Sequence, residues 1–289
     1  MATRTIADRE TEAGEHRPFL RRSSSPLAKG WLAWGITWMV LSVLVLLPVA
    51  ALVYKASGAG LREIVQSVTT PIALAALGLS FGGALISAVL NMTMGTLVAW
   101  ALTRYEFFGK SIANAIVDLP LAIPTAVAGI TLSELLGPRG WIGATFPALA
   151  VAFTPAGVLV AMTFVSIPFA IRSVQPVLQD LDADIEDAAA VLGASPRQTF
   201  YSVILPAIRP AMLTGLALSF ARSVGEFGSV VIISGNIPLK TLTGPVLVFQ
   251  RIEEYDTVGA TSVAVVMLLA SLITLAVMHA LQTWGRSRA

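Results

Sequence analysis

Arg222 and Glu226 stand four residues apart inside an otherwise apolar run. On a helix that spacing puts both side chains on one face. An ionisable residue at membrane depth is costly, and by default it marks a functional site. Two roles fit the pair. In one, Arg222 meets a dianion in a transient cavity and Glu226 limits its grip, because a transport site must release what it holds. In the other, the two charges neutralise each other and orient helices, since an unpaired buried charge is so unfavourable that pairing alone explains the spacing. Ser229, Ser234, Thr125 and Thr131 add neutral hydroxyls suited to a weak oxyanion path, although hydroxyls also bond helix to helix. Asp118 and Glu134 fall near the ends of apolar runs, within reach of water, and contacts at a helix interface are the plain reading of both.

Other chemistries find no support in the residues. The chain has no cysteine, which excludes disulfides, thiol nucleophiles and thiolate metal sites. Its two histidines are His16 in a polar tail and His279 in the last apolar run, too little for a zinc site or a histidine-based triad. Asp180, Asp182 and Asp184 imitate the start of a calcium-binding loop. Ile185 then occupies the position that needs glycine, and Val191 the one that needs glutamate. Gly109-Lys110-Ser111 imitates the end of a phosphate-binding loop, but the leading glycine would fall at Arg104. No catalytic residue and no metal ligand set emerges. A net charge of +2 is too small to imply a nucleic-acid partner.

The elements that hold these residues are dictated by composition. Of the 289 residues 55% are hydrophobic and only 12% charged, with a mean hydropathy of +0.78. A water-soluble domain carries about 25% charged residues, so this chain belongs in a bilayer and is expected to be all-α. Six stretches are long and apolar enough to span as helices, near 31–54, 72–102, 112–135, 147–171, 213–234 and 258–281. The first follows a polar segment and has no small-residue cleavage site after it, so it reads as a retained anchor. Prolines interrupt the spans at Pro120, Pro124, Pro155 and Pro168. They fit plain kinks or broken helices along a substrate path. With the N-terminus in the cytoplasm, thirteen lysines and arginines fall inside and five outside, as the positive-inside rule prefers. Both termini are then cytoplasmic. The expected domains are a polar tail over 1–30, a six-helix membrane domain over 31–283 and a short tail over 284–289.

The longest inner connection, 172–212, is patterned too strongly for a linker. Leu181, Ile185, Ala188 or Ala189, and Leu192 recur at helical spacing. Gly193 stops that helix where a left-handed residue is least costly. Ser195 caps a second helix, with Pro196 at its first position and Gln198 completing a capping box. Pro206 and Pro210 punctuate this second helix before the fifth span. The pattern predicts two short helices joined by a tight turn, lying beside the membrane.

Asp187-Ala188-Ala189, three residues, Gly193, nine residues and Val203-Ile204-Leu205-Pro206 resemble the EAA loop of binding-protein-dependent ABC-importer permeases. Aspartate replaces glutamate at 187 and valine replaces isoleucine at 203. Arg104 to Lys110, Asp118 to Gly129 and Phe220 to Pro238 resemble the sulfate, thiosulfate and molybdate permeases. The loop Gly137 to Gly143 is most similar to the T type of the sulfate/thiosulfate importer. Six spans and that loop favour sulfate over molybdate or tungstate. The resemblance implies a MetI-like permease fold in a bacterial inner membrane. It also implies a non-catalytic subunit, with ATP and magnesium on a separate ABC ATPase present in two copies. A second related permease and a periplasmic sulfate/thiosulfate-binding protein complete the implied assembly. By the same resemblance, Asp187, Ala188, Ala189, Gly193, Ala194, Ser195, Leu205 and Pro206 form the ATPase-coupling loop. The candidate anion pathway comprises Arg222, Glu226, Ser229 and Thr125. An ion-gradient-driven transporter leaves the 187–206 loop unexplained, and an intramembrane enzyme lacks its nucleophile.

Overall fold

The structure, a computed structural model, describes residues 30–286. Residues 1–29 of the expected N-terminal tail and the last three residues lie outside the described residues. Two compact units divide the chain, one ending at Ala51 and the other beginning at Leu52. The described part of the first is an apolar rod: α1 (Gly30–Leu41), a π-helical turn over Ser42–Leu46, and the beginning of α2 (Leu47–Ser57). Leu47 donates its N–H five residues back to Ser42. The wider turn makes room for the Pro48 ring, which would crowd a regular helical turn.

In the second unit, α3 (Leu61–Val68) is a short amphipathic helix leading into α4 (Pro71–Arg104). The chain continues through α5 (Lys110–Ala122), α6 (Thr125–Leu136), α7 (Trp141–Thr145) and α8 (Pro155–Asp180). It then runs through α9 (Ala183–Val191), α10 (Pro196–Thr199), α11 (Leu205–Val224) and α12 (Gly228–Ile233). Last come α13 (Gly244–Glu253) and α14 (Thr257–Arg286). No strand occurs among the described residues.

The core of this unit is α4, α8 and α11. Their packing follows from residue size and not from hydropathy, because lipid is as apolar as leucine and offers helices no hydrophobic reason to associate. Along α4 most buried positions are small, among them Ala73, Ala76, Ser80, Gly83, Ala84, Ser87 and Ala88, with Met92 and Leu102 the larger exceptions. The large apolar residues of the same helix, such as Leu85, Ile86 and Leu97, face outward and are about half exposed. At Gly95 a Cβ would lie 2.9 Å from the Ala170 Cβ of α8, so only glycine permits this approach.

Five helices are long and apolar enough to cross a membrane: Ala33–Ser57, Pro71–Arg104, Pro155–Asp180, Pro196–Val224 and Thr257–Ala280. The expected third span, 112–135, is not one straight crossing. It is α5 followed by Thr125–Thr145, which takes in α6 and α7, bent by 110° at a short break. Ile123 precedes a proline and is extended, with φ −81° and ψ 130°, and Pro124 is extended too, with ψ 133°. The proline ring disfavours helical backbone in the residue before it. The fourth span begins at Pro155 and not near 147. Thr154 caps it by accepting the Gly157 N–H at 3.3 Å, and Pro155 takes the first helical position. Pro168 and Pro176 lie inside α8 without ending it.

The fifth span also departs from expectation. The second short helix predicted after Gly193 is not separate. Pro196–Val224 runs as one 29-residue helix, with a π turn over Phe200–Ile204 in which Leu205 bonds back to Phe200. That turn accommodates Pro206 much as the earlier one accommodates Pro48. At its far end this helix stops at Val224, inside the stretch expected to continue to 234.

Candidate functional site

Because α11 ends at Val224 and α12 begins at Gly228, Arg222 and Glu226 do not share a helix face. Arg222 occupies the last turn of α11, and Glu226 lies in the break that follows. They meet nonetheless, with Arg222 Nη1 2.6 Å from Glu226 Oε2. The Glu226 side chain is 1% exposed and that of Arg222 31%. Glu226 Oε1 accepts the Ser229 backbone N–H at 2.9 Å and the Ser229 hydroxyl at 2.8 Å. The carboxylate thereby caps the first turn of α12, where a negative charge is favoured. Both of its oxygens are occupied, whereas about a third of Arg222 remains accessible.

The break beside Glu226 abuts the one at Ile123–Pro124. A Cβ on Gly129 of α6 would approach the Ser229 carbonyl to 2.6 Å, and Gly228 is pressed against the Thr125 hydroxyl. Small residues on both helices make this contact possible. The structure therefore brings Glu226 into direct contact with both Arg222 and Ser229 and sets Thr125 beside Gly228 across the α6–α12 interface. Two other candidate hydroxyls are engaged locally. Ser234 donates to Asn236 Oδ1 at 2.8 Å, and Thr131 donates to the Val127 carbonyl of its own helix at 2.9 Å.

Two polar networks escaped the sequence reading. In the first, Asn91 Nδ2 donates to Ser166 Oγ at 2.7 Å and lies 3.5 Å from Ser219 Oγ. Ser219 donates to the Ser166 carbonyl at 2.8 Å, and Ser223 to Ser166 Oγ at 2.9 Å. All four side chains are buried, and they tie α4, α8 and α11 together at one level. A lone amide in a 34-residue apolar helix was the available signal. In the second, Arg172 of α8 binds Asp118 of α5 through Nε at 2.8 Å and Nη2 at 2.6 Å. It also donates to Asn114 Oδ1 at 2.8 Å and to Gln175 Oε1 at 2.5 Å. Asp118 is thus clamped and does not simply face water.

At the Arg104 end of the core lies the patterned loop. Asp182 caps α9 by accepting the Asp184 N–H at 3.1 Å. Ala194 donates to the Ala189 carbonyl at 3.0 Å and Gly193 to that of Ala190 at 2.9 Å. Gly193 has φ +83°. Together these make a Schellman stop, which places a left-handed residue at this position. The Ser195–Gln198 capping box forms as expected. Asp187, Ala188, Gly193, Ser195 and Pro206 are exposed, and Ala189, Ala194 and Leu205 are half-buried. The apolar stripe of α9 stays largely open, with Ile185 43% and Leu192 87% exposed, and Val191 beside it is 88% exposed. A shallow groove of ≈ 330 Å³ runs between the helices, lined by Ala189, Leu192, Gly193, Ala194, Gln198 and Val203 among others.

The chain is similar to a probable sulfate transport system permease protein of Nephroselmis olivacea. The two are 49% identical over 256 residues, which cover 88% of this chain and 90% of that protein. It is likewise 49% identical to a sulfate transport system permease protein of Synechococcus elongatus, covering 88% of this chain and 92% of the other. Among solved structures, its fold matches a bacterial ABC transporter involved in import of the acidic polysaccharide alginate. The TM-score is 0.71 at 13% identity, covering 89% of this chain and 96% of that one. The methionine ABC transporter MetNI, in inward-facing form, matches with a TM-score of 0.55 at 18% identity, over 73% of this chain and 94% of the other. These likenesses identify the fold as that of ABC-importer permeases. The family profile spans residues 91–286, from the lone asparagine of α4 to the end of α14, and so takes in both breaks and the exposed loop. This chain belongs to the family of binding-protein-dependent transport system inner membrane components.

Proposed function

We propose that the chain is the membrane-spanning permease subunit of an ATP-driven importer that moves sulfate and thiosulfate into the cytoplasm. One observation carries the coupling part of this reading: the exposed loop and the buried ion pair lie on the two ends of a single helix. Pro196–Val224 is continuous for 29 residues, starts at the Ser195 cap beside α9 and ends two residues after Arg222. Force applied to the loop by a separate ATPase therefore reaches the ion pair along one rigid element. The substrate class is drawn from relatives at 49% identity over most of their length, which are named for sulfate transport.

In this mechanism Asp187, Ala188, Ala189, Gly193, Ala194, Ser195, Leu205 and Pro206 form the docking element for the ATPase. Arg222 supplies the positive charge that an oxyanion meets, and Thr125 offers a neutral donor across the α6–α12 contact. Glu226 and Ser229 act through Arg222. The carboxylate removes part of the guanidinium's attraction, so that a doubly charged anion is passed on and not retained. The chain holds no nucleotide, and hydrolysis takes place on the partner. Two ATPase copies, a second related permease and a periplasmic binding protein complete the assembly. It sits in a bacterial inner membrane with both termini of this chain in the cytoplasm.

Reconstitution in proteoliposomes tests the reading. Labelled sulfate uptake is expected only when the binding protein, the ATPase and ATP are all present, with competition by thiosulfate. Uptake by the chain alone on an ion gradient would overturn the reading. Competition by molybdate but not by thiosulfate would move the substrate to the molybdate and tungstate class.

A further inference from the structure

Three elements converge on the last turn of α4. The Nη2 of Arg104 donates to the Leu181 carbonyl at 3.1 Å and lies 2.6 Å from Glu186 Oε1. Leu181 is the C-cap residue of α8, whose terminal carbonyls have no intrahelical partner. Glu186 stands in the first turn of α9, near the positive end of that helix. The guanidinium carbon of Arg104 also sits 5.8 Å from the ring centroid of Trp100, within cation–π range. Trp100 in turn meets Phe200 edge-on at 5.9 Å, where the π turn between α10 and α11 begins. One cation and one indole on α4 thus hold both arms of the exposed loop.

No side chain described on α9 is fully buried, so packing holds that helix only lightly. The ion pair adds its charged tie to α4. Its partners are only partly open, with the Arg104 side chain 16% and that of Glu186 26% exposed. Arg104 Nε is buried without a hydrogen-bond partner. If Glu186 loses its charge, the guanidinium keeps only one carbonyl and the ring face in a place water barely reaches, and α9 loses its charged tie to α4. Partly open as it is, the pair contributes modestly to stability. Its value lies in fixing geometry.

We propose that Arg104 is a positioning residue for coupling, joining the docking helix α9 to α4 through Glu186. Movement of the loop then enters the core by two routes, along α11 and along α4. Both helices pack on α8 and share its Ser166, so the two inputs act on one polar junction. This inference rests on the docking role proposed above.

The test uses the assembled importer in nanodiscs and proteoliposomes. Arg104→Gln, Glu186→Gln and the double exchange Arg104→Glu with Glu186→Arg are compared with the parent. Three quantities are read: complex yield, labelled sulfate taken up per ATP hydrolysed, and oxidant-driven disulfide trapping of an Ala194→Cys variant to a cysteine introduced in the ATPase groove. Each single variant is expected to trap with the parent's yield while uptake per ATP falls at least fivefold. The exchange is expected to bring uptake per ATP back to within twofold of the parent. A residue that served stability alone would change yield and leave the ratio alone. If Arg104→Gln assembles poorly, Glu186→Gln decides the matter, because its amide keeps the shape of the carboxylate. Uptake per ATP within twofold of the parent in the single variants overturns the positioning role. Failure of Ala194→Cys to trap in the parent overturns the docking reading beneath it.

Discussion

Removing Arg222 and removing Glu226 should not have equal consequences. Glu226 is 1% exposed, whereas the Arg222 side chain is 31% exposed. Arg222→Ala leaves the carboxylate with only the two Ser229 donors and no path to water. Stranding one member of a buried pair costs about 3–5 kcal/mol, and the surviving hydrogen bonds keep this case near the lower figure. Glu226→Ala frees a guanidinium that can turn toward its open side, so its charge penalty is small. What it removes is the cap of α12, about 1 kcal/mol. The double variant loses the cap and strands nothing, so it should also fall near 1 kcal/mol. The implied coupling is about 3 kcal/mol, at the upper end for residues in contact. The assay is a double-mutant cycle on reversible unfolding in mixed detergent micelles, followed by helical circular dichroism. Labelled sulfate uptake per assembled complex is measured on the same four proteins. Additive effects, or a Glu226→Ala penalty larger than that of Arg222→Ala, would refute the assignment of Glu226 as the desolvated partner. Normal uptake by the double variant would remove Arg222 from the anion path and leave the pair as structure alone.

Gly193→Asp should cost about 1 kcal/mol of left-handed strain and no clash, since nothing lies within 4 Å of the added Cβ. Any larger loss of binding-protein-stimulated ATP hydrolysis then reports the docking surface, and hydrolysis at the parent's rate would contradict docking there. Gly129→Leu should separate α6 from α12, because even its Cβ would meet the Ser229 carbonyl at 2.6 Å. The expected loss is about 1–3 kcal/mol, read as a lower detergent melting temperature, and an unchanged one would deny the close approach. Asn91→Leu should weaken the α4–α8–α11 junction by about 1 kcal/mol per lost interhelical bond or less, seen as faster proteolysis of the detergent-solubilised complex. Cysteines placed at the exposed positions Arg197, Arg139 and Lys240 should react with an impermeant thiol reagent from opposite sides, 197 from the cytoplasm only. Labelling of 197 from outside would reverse the proposed orientation.

Features that depend on composition, or on residues within one turn of each other, are legible in the amino-acid order alone. Hydropathy placed the chain in a bilayer and located the long helices, because burial in lipid is set by each segment's own side chains. The Gly193 stop and the Ser195–Gln198 box were legible because each is closed by bonds spanning at most five residues. Tertiary structure decided the rest. Pro124 breaks its helix whereas Pro168 and Pro176 do not, since the freed backbone groups of a proline are satisfied or not by whatever packs beside them. Arg222 and Glu226 were found by their spacing, yet they meet across a helix break and not along a helix face. The Asn91 network joins residues 75 and 128 positions apart, and Arg104 reaches a carbonyl 77 positions away. Lone polar residues in apolar helices were visible from the start, but no local rule pairs them. Their partners follow from which small residues let α4, α8 and α11 approach, and that is settled only when the helices pack.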